Sequence, residues 1–137
     1  MTESKPLNIL VADDTELNRS MVTRLLTRKG HTVTSVDDGL QAFDRVRQEA
    51  FDAVLMDVQM PVMDGIESTK NIRQWEEAES KSPVPIIALT ANDERRQRAL
   101  YLSAGMNDVI TKPIDVKTLI PSIQKIIDEN KGTNIDG

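Results

Sequence analysis

The amino-acid sequence predicts an α/β domain in which a parallel sheet is covered by helices on both faces. Three observations carry this. Short β-rich apolar runs alternate with stretches of helical spacing five times along the chain, the pattern of βα units in series. Four of those runs lead directly into a polar residue, which suits strands ending at a ligand-binding edge. The 137 residues suit one domain, with no internal repeat and no second unit. Crossovers between parallel strands are right-handed almost without exception.

NILVA (8–12) is the first strand and ends at Asp13. Leu17, Met21 and Leu25 then recur every fourth residue, flanked by Val22 and Leu26, which is helical spacing. Gly30 follows that helix where a left-handed closing residue is wanted. TVTSV (32–36) is a β-branched run, and AVLM (53–56) ends at Asp57. The polar, proline-containing EEAESKSPVP (76–85) reads as a loop. PIIALT (85–90) ends at Thr90, Gly105 closes the next helix, and NDVIT (107–111) ends at Lys112. Leu119, Ile123 and Ile127 mark the last helix. Pro121 within it leaves two accounts: a start at Thr118 as N-cap, or a start at Asp115 with a kink. DENKGTNIDG (128–137) reads as a polar, frayed tail.

Composition narrows the function. A formal net charge of −5, from 17 basic and 22 acidic residues, argues against direct nucleic-acid binding. The local cluster ERRQR (94–98) reads as a solvated helix face. Cysteine is absent, which removes disulfide and thiolate metal chemistry and fits a reducing compartment. No apolar run approaches a membrane span, and MTESKP lacks the apolar core of a signal peptide. The expected location is cytoplasmic, without membrane insertion. Neither a P-loop nor a G-x-G-x-x-G fingerprint occurs, and 3% aromatic content gives little for flavin stacking.

In a parallel sheet every C-terminal strand end lies on one edge. Asp13, Asp14, Asp57, Thr90 and Lys112 should therefore converge. Three carboxylates close together repel and need a cation, and an all-oxygen set favours Mg²⁺ or a similar ion. Lys112 adds a point charge for a phosphoryl oxygen, and Thr90 a hydroxyl donor. The remaining role is a nucleophile, and an aspartate carboxylate can form an aspartyl-phosphate. Asp57, on the middle strand of the acidic cluster, is the candidate. Each of these residues alone has a structural explanation. Asp14, Thr15 or Asp64 could cap the following helix, Thr90 could be turn chemistry, and Lys112 could snorkel. All five at strand ends in one chain is hard to reach by chance.

These segments carry a resemblance. NILVADD (8–14), VLMDVQMPVMDG (54–65), IIALTAN (86–92) and AGMNDVITKPI (104–114) resemble the receiver domains of two-component response regulators, over about residues 7–128. The resemblance implies a flavodoxin-like, doubly wound (βα)₅ fold of strand order 2-1-3-4-5. It leaves 1–6 and 129–137 as flexible ends. It implies that Asp57 is the phosphoacceptor. Asp14, Asp57 and the Gln59 carbonyl would hold Mg²⁺ directly, and Asp13 would reach it through water. Thr90 would move toward the phosphoryl group, Lys112 would pair with it, and the Lys112–Pro113 bond would be cis. DVQMPVMDG with DDTELNR (13–19) looks most like receivers of hybrid sensor histidine kinases and phosphorelays. Such receivers take the phosphoryl group from a kinase histidine, which can lie in the same chain, and pass it to a histidine-phosphotransfer protein. A stand-alone regulator is the alternative.

One position departs from the pattern. Many receivers carry Tyr or Phe three residues before the lysine; here it is Val109. Signalling is then expected to run through Thr90 and the following helix, whose start, NDERRQR (92–98), has almost no apolar anchor. Gln59 and Asn92 should flank the phosphoryl group and govern access of the hydrolytic water. Aspartate-nucleophile phosphatases place a second Asp where this chain has Gln59, which cannot transfer a proton in that way. Self-phosphorylation and autodephosphorylation, rather than enzymatic turnover, are therefore expected. His31 reads as a residue leading into the second strand, Trp75 as a half-buried aromatic, and Tyr101 as packing or partner surface. Met56, Met60 and Met63 read as core or loop packing.

Overall fold

The structure, a computed structural model, describes residues 6–91 and 95–135. Five strands alternate with five helices. The strands are β1 (Asn8–Ala12), β2 (Thr32–Val36), β3 (Ala53–Asp57), β4 (Ile86–Thr90) and β5 (Asp108–Thr111). The helices are α1 (Glu16–Arg28), α2 (Gly39–Gln48), α3 (Gly65–Ala78), α4 (Arg95–Ala104) and α5 (Val116–Ile135). All strand pairs are parallel, in the order β2-β1-β3-β4-β5. The order reverses between β1 and β3, which places a crevice beyond their C-terminal ends.

The period-two alternation of strand side chains divides the core into two layers. Leu10, Ala12, Val54, Met56, Ile86 and Ala88 face α2, α3 and α4. Ile9, Val11, Ala53, Leu55, Ile87 and Leu89 face Val22 and Leu26 of α1 and Leu119, Ile123, Ile126 and Ile127 of α5. Every residue of β3 and β4 is buried, as continuous apolar runs in a doubly covered sheet require.

Several sequence readings need correction. The Leu17–Met21–Leu25 repeat marks the helix as expected, but of the three only Leu25 packs against the core. Leu17 is 77% exposed and Met21 38%, while Val22 and Leu26 are buried. Adjacent stripes on one helix satisfy the same spacing, and only contact with the sheet chooses between them. The 76–85 loop begins at Glu79, because α3 runs through Ala78. Glu76 is buried there. Its carboxylate accepts from Arg73 Nη1 at 2.7 Å and from the Val84 amide at 2.8 Å. Arg73 also donates to the Gly105 carbonyl and to Asn107 Oδ1, each at 3.0 Å, so one guanidinium braces α3 against the end of α4 and the approach to β5. At the C-terminus α5 continues to Ile135, past the point where a frayed tail was expected.

Asp115 starts α5. Its side chain accepts from the Lys117 amide at 2.9 Å and its carbonyl from Leu119 at 3.1 Å. The earlier of the two proposed starts is the one formed, and Pro121 lies inside the helix. Gly30 and Gly105 both take positive φ, 94° and 113°. His31 is buried and accepts the Leu7 amide on Nδ1 at 3.0 Å, a structural role.

Candidate functional site

The site forms where β1, β3, β4 and β5 end. A carboxylate oxygen from each of Asp13, Asp14 and Asp57 lies within 4.8 Å of the others, a grouping able to hold a metal ion. Asp13 is buried and fixed. Its amide donates to the Val36 carbonyl at 3.1 Å, and its Oδ1 accepts the Thr15 amide at 2.9 Å. Among the described residues its Oδ2 is buried without a hydrogen bond, with Lys112 Nζ 3.4 Å away. A buried carboxylate oxygen left in this way suits a hard cation or its water. Asp14 is exposed at the mouth.

Asp57 is 4% exposed at the end of the central strand. Lys112 Nζ donates to its Oδ2 at 3.1 Å and the Gln59 amide to its Oδ1 at 3.2 Å. Burial pushes the Asp57 carboxyl up from 3.8 to about 6. The Lys112 hydrogen bond pulls the other way, the Asp13 charge adds to the rise, and the Lys112 charge and Gln59 amide restrain it. Lys112 is likewise held above its ordinary value. Burial alone would lower it, and contact with Asp57 and then Asp13 outweighs that loss. The cluster thus has two buried negative charges and one positive charge, a deficit that a divalent cation would correct.

The backbone under Asp57 is clamped. Gly65 opens α3 directly against the Asp57 carbonyl, and a Cβ there would overlap it. The Gly65 amide donates to the Val58 carbonyl at 2.9 Å. Asp64 caps α3 by accepting the Glu67 amide, as its sequence position suggested, and Asp38 caps α2 in the same way. Between β3 and α3, Val62 holds a positive φ of 68°, with the Met63 amide donating to the Pro61 carbonyl at 2.7 Å. The Lys112–Pro113 peptide is cis.

The cleft of about 460 Å³ over this cluster is lined by Asp14, Asp57, Gln59, Thr90 and Lys112, and from α4 by Gln97 and Tyr101. The sequence-derived residues therefore converge. Thr90 Oγ1 lies 3.2 Å from the Tyr101 hydroxyl, a contact that no strand-end reasoning could supply because Tyr101 comes from mid-helix. Asn92 lies outside the described residues. Lys112 also borders a second, larger groove of about 930 Å³, lined by Leu17, Met21, Leu25 and Ile114 with Arg24 and Arg28 at its side.

Three acidic residues, a lysine and a hydroxyl thus meet at the switch point of a doubly wound parallel sheet. A family model described as the response regulator receiver domain matches residues 9–124, and the chain belongs to that family. The chain is 41% identical over 122 residues to the sensor histidine kinase GacS of Pseudomonas protegens, covering 89% of this chain and 13% of that protein. It is 36% identical over 138 residues to the hybrid signal transduction histidine kinase I of Dictyostelium discoideum, covering 94% of this chain and 8% of that protein. Among solved structures it matches the co-crystal structure of the Saccharomyces cerevisiae histidine phosphotransfer protein Ypd1 and the receiver domain of Ssk1. That match has a TM-score of 0.84 at 28% identity, covering 88% of each chain. The receiver domain of the sensor histidine kinase PA1611 from Pseudomonas aeruginosa, with magnesium in its active-site cleft, matches at TM-score 0.78 and 36% identity, covering 90% of this chain and 99% of that one. No helix among the described residues is long and apolar enough to cross a membrane.

Proposed function

We propose that Asp57 is the phosphoacceptor of this receiver domain and that Mg²⁺ is its cofactor. The observation that carries this is the convergence of three carboxylates with Lys112 Nζ, 3.1 Å from Asp57 Oδ2. Asp14 and Asp57, the Gln59 carbonyl, and Asp13 through water would hold the ion. Bound there, it would neutralise the carboxylates and stabilise charge on the phosphoryl oxygens. The magnesium in the PA1611 receiver supports the choice of ion.

In the transfer, an Asp57 carboxylate oxygen attacks phosphorus in line with the leaving group. The P–N bond of a phosphohistidine breaks, and the imidazole leaves with the electron pair and takes up a proton. Lys112 exchanges its contact with Asp57 for one with a phosphoryl oxygen, and the Thr90 hydroxyl donates to another. Water later cleaves the acyl phosphate, so the chemistry is self-limited rather than turnover of external esters. Gln59 at the cleft mouth would meter that water.

The donor is a histidine kinase, and a histidine-phosphotransfer protein is the onward acceptor. Two supports are the Ypd1 complex among the structural matches and the kinases among the curated relatives. The apolar groove along α1 shares Lys112 with the acidic cleft, so a helix seated on Leu17 and Met21 could bring its histidine to Asp57. The chain spans less than a seventh of the length of these curated kinases. We assign residues 7–128 as the receiver unit, of hybrid-kinase or phosphorelay type, acting in the cytoplasm by protein contact.

The test is intact mass over time with Mg²⁺ and acetyl phosphate, beside Asp57→Asn. One added phosphoryl group that requires Mg²⁺, decays on standing and is missing in the variant supports the reading. No added mass, repeated with a phosphorylated histidine kinase as donor, overturns it.

A further inference from the structure

Tyr101 is 3% exposed, its ring packed in the core layer that α2, α3 and α4 share. Its hydroxyl lies 3.2 Å from Thr90 Oγ1, and either atom can donate. Both residues line the cleft over Asp57. Val109 of β5 is half-buried against the same layer. The aromatic group beside Thr90 therefore comes from α4, while the β5 position carries a small side chain.

The direction of that hydrogen bond depends on the state of Asp57. A threonine hydroxyl has one proton and two acceptor lone pairs. When a phosphoryl oxygen takes the Thr90 proton, Thr90 can only accept from Tyr101. Tyr101 O–H then donates to Thr90, which donates to the phosphoryl oxygen, and each bond polarises the next. A buried phenol needs such a partner, so Tyr101 follows Thr90 rather than losing it.

We propose that Tyr101 is the positioning residue for Thr90 and the link by which phosphorylation reaches α4. This rests on the phosphoacceptor reading of Asp57. Before phosphorylation either hydroxyl can be the donor; afterwards Tyr101 is fixed as donor. Its bond holds the Thr90 oxygen and orients the single proton toward the cleft.

Tyr101 is the one tyrosine of the chain, so its ring vibrations in ultraviolet resonance Raman spectra report its hydroxyl alone. The full chain is incubated with Mg²⁺ and acetyl phosphate, and spectrum and intact mass are read on the same sample. The expected result is a shift of Tyr101 to the donor form as the phosphoryl mass appears, kept in Thr90→Ser and lost in Thr90→Ala. Tyr101→Phe, folded by circular dichroism, should accept the phosphoryl group about fivefold more slowly, the worth of one hydrogen bond. Added mass with an unchanged tyrosine spectrum overturns the proposal and leaves Asp57 as phosphoacceptor. A wild-type rate in Tyr101→Phe also overturns it. Absence of any added mass, repeated with a phosphorylated histidine kinase as donor, overturns both readings. If Tyr101→Phe fails to fold, the spectral comparison on the unaltered chain still decides.

Discussion

Replacing Asp57 by Asn should make the metal-free protein more stable at pH 7, even though it removes the proposed reactive group. The Asp57 carboxyl is raised from 3.8 to about 6, chiefly by burial. Its folded value lies above its unfolded value, so the folded state binds the extra proton between about pH 4 and 6. Stability from this group is fully present below the unfolded value and is lost as pH rises through about 6. A rise of about two pH units at about 1.4 kcal/mol each gives roughly 3 kcal/mol lost at pH 7. Asparagine, uncharged like the protonated carboxyl, removes that loss, and the 3.1 Å contact with Lys112 is already counted in the raised value. The expected gain is therefore roughly 3 kcal/mol in Asp57→Asn at pH 7, vanishing near pH 4. Urea denaturation at pH 4.5 and 7 in chelator, followed by the fluorescence of the single tryptophan, half-buried Trp75, measures both points. Adding Mg²⁺ at pH 7 should reverse the order, because saturation at about a thousand times Kd stabilises the native chain by about 4.1 kcal/mol. Equal stability of the two proteins in chelator at pH 7, with parallel pH profiles, would refute the claim that a buried, under-compensated charge sits at Asp57.

Other perturbations separate fold from function. Leu17→Glu, at a 77% exposed position, should change stability by no more than about 0.5 kcal/mol. It should leave labelling by acetyl phosphate intact and slow transfer from a phosphohistidine protein at least tenfold, read by phosphoryl mass from each donor. Gly65→Ala should cost about 3 kcal/mol or more in urea melts, because the new methyl would overlap the Asp57 carbonyl. Arg73→Met should cost about 3 kcal/mol or more at neutral pH, because it leaves the Glu76 charge buried without its cation. Glu76→Gln in that background should recover part of the loss.

The strands were legible because β3 and β4 are buried on both faces, so their apolar runs are unbroken. Asp13, Asp57 and Lys112 were legible for the related reason that a charged residue ends such a run. The exposed stripe of α1 was not, since Leu17 and Met21 fit helical spacing as well as Val22 and Leu26 do. Glu76 read as loop because charge and nearby prolines outweigh helical spacing in a local window, while its partners Arg73 and Val84 act in three dimensions. The pairing of Thr90 with Tyr101 depends on how α4 settles on the sheet, which no local pattern encodes. Gln97 lines the cleft for the same reason.

The clamp beneath Asp57 fixes where mechanical compliance can lie. Asp57 ends a strand buried at every residue, paired on both sides, with α3 abutting its carbonyl. With its backbone held in this way, charge placed on Asp57 is poorly absorbed by retreat of β3. Displacement then passes to side chains at the neighbouring strand ends, such as Thr90 with its 3.2 Å bond to Tyr101. Rigidity at the point of attachment thus sets the direction in which the domain yields.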